Sequence, residues 1–199
     1  MTEHKDVALL GGGCNPIGIH HQLIAQMVWL EWALKTWVMP CYRHRFNKNN
    51  ELIESAHRWN MVSEVCDQYE YMEACDWELV HEHDGALYTT LEAMTKMYPE
   101  HRFHIIIGSD NANIMEKSWH RGKKLIELFP FIVMQRPGEP LTVDWPNHKP
   151  HKVMPFTYQM SSTDIRNAIR DGRYEFAKKH LDPIVWEYII AGRLYGYKG

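Results

Sequence analysis

The sequence predicts an α/β protein built on a doubly wound parallel sheet, with helices at its C-terminal end. Short, wholly apolar runs alternate with longer segments whose apolar residues recur at helical spacing. This alternation is typical of a parallel sheet covered by helices on both faces. The chain has 199 residues, of which 45% are hydrophobic. That length and apolar content predict one domain, spanning residues 1–199, with one sizeable core.

Short segments that are wholly or mostly apolar are predicted as strands. They cover residues 7–10, 37–39, 77–80, 103–107, 131–134 and 153–156. Helical spacing predicts helices over residues 21–35, 52–69 and 87–97. A helical part begins at about residue 161, with helices over 161–170, 174–180 and 184–194, and the proline-rich stretch 139–150 is predicted to be irregular.

Composition excludes several classes of protein. The net charge is -3, whereas a domain that binds nucleic acid is usually basic. The four cysteines form no Cys-x-x-Cys pair, so neither a zinc site nor a disulfide framework is expected. The first residues contain no long apolar run ending in a cleavage site, so we expect no secretory leader. The sequence has no stretch of about 18 apolar residues, so we also expect no membrane span. Reduced thiols then favour a cytoplasmic protein.

The first chemical motif is the segment Gly11–Pro16, which lies between a buried predicted strand and a helix. Glycines at such a turn let the backbone approach a phosphate, and the free N–H groups of the helix start face the anion. The segment lacks the spacing of a dinucleotide fingerprint and of a P-loop, and a plain tight turn is the alternative. His21 follows in the opening turn, where it can either donate to a phosphate or serve as a capping residue.

The second motif is Ser161–Arg166, which precedes an apolar-periodic helix. A serine or threonine with an acidic residue in the first turn is a preferred helix start, so capping alone would explain the pattern. Two hydroxyl groups and an arginine one turn inside a helix start also suit a polyphosphate. The sequence leaves both interpretations open.

Taken together and in this order, the two motifs resemble the HxGH-type nucleotidyltransferase superfamily, with its Rossmann-like fold. More narrowly, they resemble the nicotinamide/nicotinate mononucleotide adenylyltransferases. Other segments along nearly the whole chain are similar to that family: Lys48 and the stretch 55–58, Asp76–Glu78, Thr90 and Leu91, the block 106–111 followed by Trp119, Arg136–Gly138, and the C-terminal residues 183–195.

The resemblance implies an enzyme that joins the adenylyl group of ATP to a pyridine mononucleotide. It implies His21 and Arg166 as catalytic residues. The implied ATP-binding residues are Gly12, Gly13, Cys14, His21, Gly108, Asp110, Ser162, Thr163 and Arg166. The implied mononucleotide-binding residues are Asn15, Lys48, Thr90, Trp119 and Arg136.

Mg²⁺ is the implied cofactor, held mainly by the ATP phosphates without ligands from protein side chains. The implied partners are the small-molecule substrates ATP and a pyridine mononucleotide. The resemblance is also compatible with a homo-oligomer. The sequence does not indicate whether the acid or the amide form of the mononucleotide is preferred.

Gly18 is a departure from the family pattern, because it stands where the first histidine of the H-x-G-H motif is expected. His20 replaces the small residue before the last histidine, and its ring either points away from the ATP or fills the space left by Gly18.

Two other functions remain as alternatives. One is another enzyme of the superfamily, such as a phosphopantetheine adenylyltransferase or a cytidylyltransferase. The other is a nucleotide-binding sensor, which the missing side chain at position 18 favours.

Overall fold

A computed structural model describes residues 4–44, 49–145 and 151–199. Within these ranges six strands form one sheet, and every neighbouring pair is parallel. The strands are β1 (Lys5–Gly12), β2 (Lys35–Pro40), β3 (Met72–Ala74), β4 (His101–Gly108), β5 (Phe131–Gln135) and β6 (Lys152–Pro155). Their order across the sheet is β3-β2-β1-β4-β5-β6.

Helices connect the strands and complete the C-terminal part of the chain. They are α1 (Ile19–Trp32), α2 (Ser55–Cys66), α3 (Trp77–Val80), α4 (Leu87–Met97), α5 (Ser109–Ser118), α6 (Gly122–Leu128), α7 (Ser162–Arg170), α8 (Tyr174–Lys178) and α9 (Pro183–Ala191). Short 3-10 turns lie at Asn49–Glu51 and Leu194–Gly196. The predicted helix over 87–97 and the three C-terminal helices are confirmed, with small differences at their ends.

Both faces of the sheet are covered, as the wholly apolar strands predict. In β1, Val7 and Leu9 pack in a cluster with α4, α5 and α6, whereas Ala8 and Leu10 pack on the opposite face with α1. Alternate residues of β4 and β5 divide in the same way between the two clusters. Helices α2, α7, α8 and α9 form a third cluster beside α1. The predicted α/β, doubly wound, Rossmann-like fold is therefore confirmed.

The order of the strands reverses between β1 and β4, the two central strands. In an open parallel sheet, ligands bind outside the carboxyl ends of the strands at such a switch point. β1 ends at Gly12 and β4 ends at Gly108, so both predicted glycine segments lie at that edge. The topology thus brings together motifs that are distant in sequence.

The prediction of a strand over 77–80 is wrong, because these residues form the single helical turn α3. The backbone N–H groups of Leu79 and Val80 both donate to the carbonyl oxygen of Asp76, at 2.9 and 3.0 Å. The strand beside β2 is instead Met72–Ala74, which the sequence analysis missed. A segment of four residues is too short to show the periodicity that separates a strand from a helical turn.

Helices α5 and α6 were also not predicted. Helix α5 is mostly polar or charged and α6 has only seven residues, and they bury only a few residues each, such as Ala112, Met115 and Leu125. Such helices are stabilised mainly by packing against the sheet, so their own sequences show only a weak apolar pattern. Across the described ranges, no helix combines the length and the apolar character needed to cross a membrane.

Candidate active site

The loop between β1 and α1 is held in place by a buried arginine. Arg58 of α2, 1% exposed, donates from Nη1 to the carbonyl oxygens of Gly13 and Cys41, at 3.0 and 2.7 Å. Cys14, next along the loop, has φ +44°, in the left-handed region that few residues adopt. The loop that the sequence analysis assigns to phosphate therefore has a fixed backbone, anchored to the ends of β1 and β2.

His21 lies in the first turn of α1 and borders a pocket at the switch point. Its Nδ1 accepts a hydrogen bond from the backbone N–H of Gly18 at 3.0 Å. The neutral ring therefore carries its proton on Nε2. Burial lowers the pKa of His21 to about 4, because desolvation disfavours the charged ring. Near neutral pH, His21 is thus a neutral N–H donor.

His20 fills the space beside Gly18. A Cβ atom at Gly18 would lie 2.9 Å from Nδ1 of His20 and 3.0 Å from Cδ1 of Ile165. His20 is 7% exposed, and its ring centroid lies 3.9 Å from that of His21. Of the two positions considered for His20, the ring takes the one that reaches round to Gly18.

The second motif forms both a helix cap and a link to the first. The Ser161 hydroxyl accepts from the backbone N–H of Asp164 at 3.3 Å, and the Asp164 carboxylate accepts from the backbone N–H of Ser161 at 2.9 Å. This reciprocal pair is a capping box. The Ser162 hydroxyl donates instead to the carbonyl oxygen of Pro16 at 2.8 Å. The capping interpretation thus applies to Ser161, while Ser162 joins the start of α7 to the glycine loop.

Arg166 lies one turn into α7 and is 6% exposed. Its Nη1 donates to the carbonyl oxygen of Asn15 at 2.8 Å. Its Nη2 donates to the hydroxyl of Thr163 at 3.2 Å and forms an ion pair with the carboxylate of Glu51. These contacts hold a buried guanidinium group against the loop and beside a carboxylate that is about half exposed.

These groups surround a pocket of about 140 Å³, which we call the phosphate pocket. Its wall is formed by Gly13, Cys14, Asn15, His21, His44, Glu51, Leu52, Ser162, Thr163 and Arg166. Helix starts, hydroxyl groups and a guanidinium group are the usual ligands of phosphate oxygens in proteins. Six of the residues that the sequence analysis assigned to ATP are therefore brought together here.

Asn15 also borders the phosphate pocket, although the resemblance assigned it to the mononucleotide. It is 3% exposed, and its amide donates to the carbonyl oxygen of Glu51 at 2.7 Å. Its side-chain oxygen accepts from the Tyr195 hydroxyl at 3.0 Å. Asn15 thus joins the glycine loop to the 3-10 turn before α2 and to the C-terminal turn. The sequence analysis gave Glu51 and Tyr195 no role.

A larger cavity of about 390 Å³, which we call the ring cavity, lies at the carboxyl ends of β1, β2 and β4. Trp119, Asp110 and Gly12 border it, as do the apolar side chains of Met39 and Leu87. His44 borders both the phosphate pocket and the ring cavity, so the two spaces adjoin. A flat ring stacked on Trp119 would therefore lie within one connected site.

Gly108, Asp110 and Arg136 form a group at the ends of β4 and β5. A Cβ atom at Gly108 would collide with Oδ1 of Asp110 and would lie 3.5 Å from Nε of Arg136. This Oδ1 atom is buried, and the described residues offer it no hydrogen bond. Arg136 thus lies beside Gly108 and Asp110, two of the residues expected to bind ATP, and is not part of the wall of the ring cavity. Lys48 is outside the described residues.

Thr90 lies behind the wall of the ring cavity. It is fully buried, and its hydroxyl donates to Oε1 of Glu78 at 3.0 Å. Glu78 itself is 4% exposed and borders the cavity. Glu78 lies in a segment that resembles the family, but the sequence predicts no role for it, because burial beside a cavity has no local sequence pattern.

The described part of the chain contains no group of three or more metal-ligating side chains. The phosphate pocket offers hydrogen-bond donors and a cation together with one carboxylate, that of Glu51. Such a donor set suits a polyphosphate that brings its own divalent cation better than it suits a resident metal ion.

Comparison with known families agrees with this geometry. The cytidylyltransferase-like family model matches residues 9–168, which include the glycine loop, Trp119 and Arg166. A protein of Oceanobacillus iheyensis, named a probable nicotinate-nucleotide adenylyltransferase, is 30% identical over 97% of this chain and 98% of its own length. A protein of Salinibacter ruber with the same name is 31% identical over 84% and 87% of the two chains.

The fold is also similar to that of a solved structure. The nicotinic acid mononucleotide adenylyltransferase of Plasmodium falciparum, complexed with NaAD, superposes with a TM-score of 0.81. The two sequences are 23% identical, and the match covers 98% of this chain and 99% of the other. With the family model and the two bacterial relatives, the conclusion is that this chain belongs to the cytidylyltransferase-like family and, within it, to the nicotinate-nucleotide adenylyltransferases.

Proposed function

We propose that this chain transfers the adenylyl group of ATP to nicotinate mononucleotide, giving the dinucleotide NaAD and pyrophosphate. The observation that carries the proposal is the pair of adjoining spaces at the switch point. One is surrounded by phosphate-binding groups, and the other contains Trp119 and Asp110. The names of the curated relatives support the same reaction.

The reaction needs no general base from the protein. The second pKa of a phosphate monoester is about 6, so the 5′-phosphate of the mononucleotide is largely a dianion at neutral pH. One of its oxygens forms a bond to the α-phosphorus of ATP, and the bond from that phosphorus to the β-phosphate oxygen breaks. Pyrophosphate leaves with the electron pair of that bond. Catalysis then consists of positioning and charge stabilisation.

The residues of the phosphate pocket would supply that stabilisation. Arg166 carries a permanent positive charge and is oriented by Asn15 and Thr163. His21 offers its Nε2–H as a neutral donor, since Nδ1 is already engaged by Gly18. Preorganised donors of this kind are strongest where charge develops in the transition state, here on the departing pyrophosphate.

Mg²⁺ is the proposed cofactor and would be held by the ATP phosphates, whose negative charge it partly neutralises. Asp110 and Gly108 would hold the ribose of the adenosine. There the unpaired Oδ1 of Asp110 can accept a hydrogen bond from a ribose hydroxyl group. Trp119 would stack on the pyridine ring. For Lys48 and Arg136, contact with the mononucleotide phosphate remains the proposal from the resemblance.

The cytoplasm is the proposed compartment. All four cysteines are free and buried in the structure, which suits a reducing environment. Burial raises the pKa of the Cys41 and Cys75 thiols to about 11, so both stay protonated and unreactive.

The test is to incubate the purified protein with ATP, Mg²⁺ and one acceptor at a time. The acceptors are nicotinate mononucleotide, nicotinamide mononucleotide and phosphopantetheine, and the products are separated by chromatography while pyrophosphate is measured. We expect NaAD and an equal amount of pyrophosphate. Product from phosphopantetheine alone would assign another transferase activity. ATP binding without any product would support the sensor alternative.

A further inference from the structure

Glu78 is a buried carboxyl group that the proposed reaction does not use. Among the described residues in the wall of the ring cavity, it alone combines burial with a carboxyl, amide, imidazole or guanidinium group. Its Oε1 accepts the Thr90 hydroxyl, and the backbone N–H of Tyr42 also faces the carboxyl group, but the buried Oε2 receives no hydrogen bond of normal distance and angle within the described ranges. Native proteins leave few buried oxygens unpaired, so a ligand is the expected partner of Oε2.

The groups around Glu78 bring the pKa of its carboxyl group close to neutral pH. The groups that face it are Thr90 of α4, Arg58 of α2, the backbone N–H of Tyr42 after β2, Asp84 in the loop before α4, and the thiols of Cys41 and Cys75. Burial is the main reason that the pKa of Glu78 is raised to about 7, and the negative charge of Asp84 raises it further. Three other groups lower this pKa: Thr90, Tyr42 and Arg58. Both protonation states are therefore present near neutral pH.

We propose that the carboxyl group of Glu78 contacts the substituent on the pyridine ring and selects between the two substrates. The protonated form of Glu78 favours nicotinate, and the ionised form favours nicotinamide. The inference rests on the proposed function and names the residue that selects its substrate. Trp119 and Glu78 belong to the wall of the same cavity, so a ring stacked on Trp119 brings its substituent into the space that Glu78 borders.

The chemistry of the two substituents decides the sign of the effect. A protonated carboxyl donates its O–H to the carboxylate of nicotinate, whereas an ionised Glu78 repels that carboxylate. The carboxamide of nicotinamide carries two N–H donors and no charge, so the ionised form accepts from it. Lower pH should therefore favour the acid substrate over the amide.

Thr90 is a positioning residue in this arrangement. Its hydroxyl lies 3.0 Å from Oε1 of Glu78 and 3.2 Å from the carbonyl oxygen of Ala86. Its Oγ1 also lies 3.0 Å from Nδ1 of His83. Because Thr90 engages Oε1, Oε2 remains as the carboxyl atom that can carry the proton to the ligand.

The test is the ratio of kcat/KM for nicotinate mononucleotide to kcat/KM for nicotinamide mononucleotide, measured from pH 6 to pH 8. The ratio cancels the titration of the 5′-phosphate, which both substrates share. A single group that titrates near pH 7 changes its protonated fraction about tenfold across this range. The ionised fraction rises by the same factor, so we expect the ratio to fall by at least about tenfold in the wild-type enzyme, and by up to about 100-fold if each form of Glu78 serves only one substrate.

Glu78→Gln is the decisive variant, because the glutamine amide imitates the protonated carboxyl at every pH. Its ratio should stay at or above the wild-type value at pH 6 and should not change with pH. Glu82→Gln, an exposed carboxyl in the same segment, is the matched control and should retain the wild-type pH profile. A ratio that is constant in the wild type, or that titrates equally in Glu78→Gln, would overturn the inference.

A calorimetric measurement on the wild type covers the case in which Glu78→Gln does not fold. Each mononucleotide is titrated into the enzyme at pH 8 in buffers with different ionisation enthalpies. Nicotinate mononucleotide should bind with uptake of nearly one proton more than nicotinamide mononucleotide. Equal proton uptake would contradict the inference. Absence of any dinucleotide product would instead contradict the proposed function itself.

Discussion

The phosphate pocket and the ring cavity differ in how their polar groups are held. In the phosphate pocket, Arg166, Ser162 and His21 each engage the backbone or a neighbouring side chain. In the ring cavity, one carboxyl oxygen of Asp110 and one of Glu78 are buried without a hydrogen bond from any described residue. The first site is therefore preorganised for charge stabilisation, whereas the second leaves acceptors for a ligand to satisfy.

The difference predicts that substitutions in the two regions change different kinetic constants. Loss of a preorganised donor should act mainly on turnover, because the charge it stabilises develops in the transition state. Loss of a group that contacts only the ring should act mainly on the KM for the mononucleotide. The following variants test this distinction.

Arg166→Ala should have the largest effect. It removes the permanent positive charge of the phosphate pocket and also the contacts to Asn15 and Thr163. We expect kcat to fall by about 10³-fold, comparable with loss of a catalytic arginine elsewhere. Arg170→Ala, an exposed arginine of the same helix, is the control and should leave kcat unchanged. Equal effects of both substitutions would show that Arg166 acts only through helix stability.

His21→Ala should lower kcat by about 10²–10³-fold, because it removes one preorganised donor to the ATP phosphates. The KM for the mononucleotide should change little. The exposed His4→Ala serves as the control in steady-state assays. A fully active His21→Ala enzyme would overturn the assignment of the glycine loop.

Trp119→Ala should raise the KM for the mononucleotide by about tenfold or more, since stacking on an aromatic ring contributes about 1–3 kcal/mol. The KM for ATP should rise much less. Trp59→Ala removes a partly buried tryptophan that borders neither the phosphate pocket nor the ring cavity. Equal losses for both substrates, with a lower Tm, would instead identify Trp119 as a core residue.

Glu51→Gln should lower the KM for ATP by about two- to fivefold. The ion pair with Arg166 competes with the triphosphate, and its strength is limited because Glu51 is half exposed. Glu54→Gln, an exposed carboxylate three residues away, controls for the change in overall charge. A higher KM for ATP in Glu51→Gln would show that Glu51 orients Arg166 instead of competing for it.

Gly18→Ala tests how closely the start of α1 is packed, and its effect should appear in stability. The added methyl group would lie 2.9 Å from His20 and 3.0 Å from Ile165, which predicts a loss of about 1–3 kcal/mol in the free energy of unfolding. The loss should be smaller when His20→Ala is also present, because the two residues share the space. Chemical denaturation of both single variants and the double variant measures this coupling. Additive effects would contradict it.

The sequence predicted most of the sheet, and six of the residues that it assigned to ATP lie in the wall of the phosphate pocket. Wholly apolar strands and helical spacing depend on neighbouring residues, so β1, β4, β5 and the C-terminal helices could be read from local pattern. The short β3 and the helical turn α3 were missed or wrong, because a run of three or four residues carries no period. The resemblance to a known family assigned Gly13, His21 and Arg166 to one candidate site, and all three lie in the wall of the phosphate pocket.

Contacts between distant segments were decided by the tertiary structure. Ser162 meets Pro16 across 146 positions of the chain, and Arg166 meets Asn15 across 151. Glu78 acquires its shifted pKa from burial, and Thr90, Arg58 and Tyr42 meet it from other segments. Local pattern encodes which residues form a strand, a cap or a loop. Pairing, burial and charge balance depend on which elements the sheet brings together, and only the folded chain determines that.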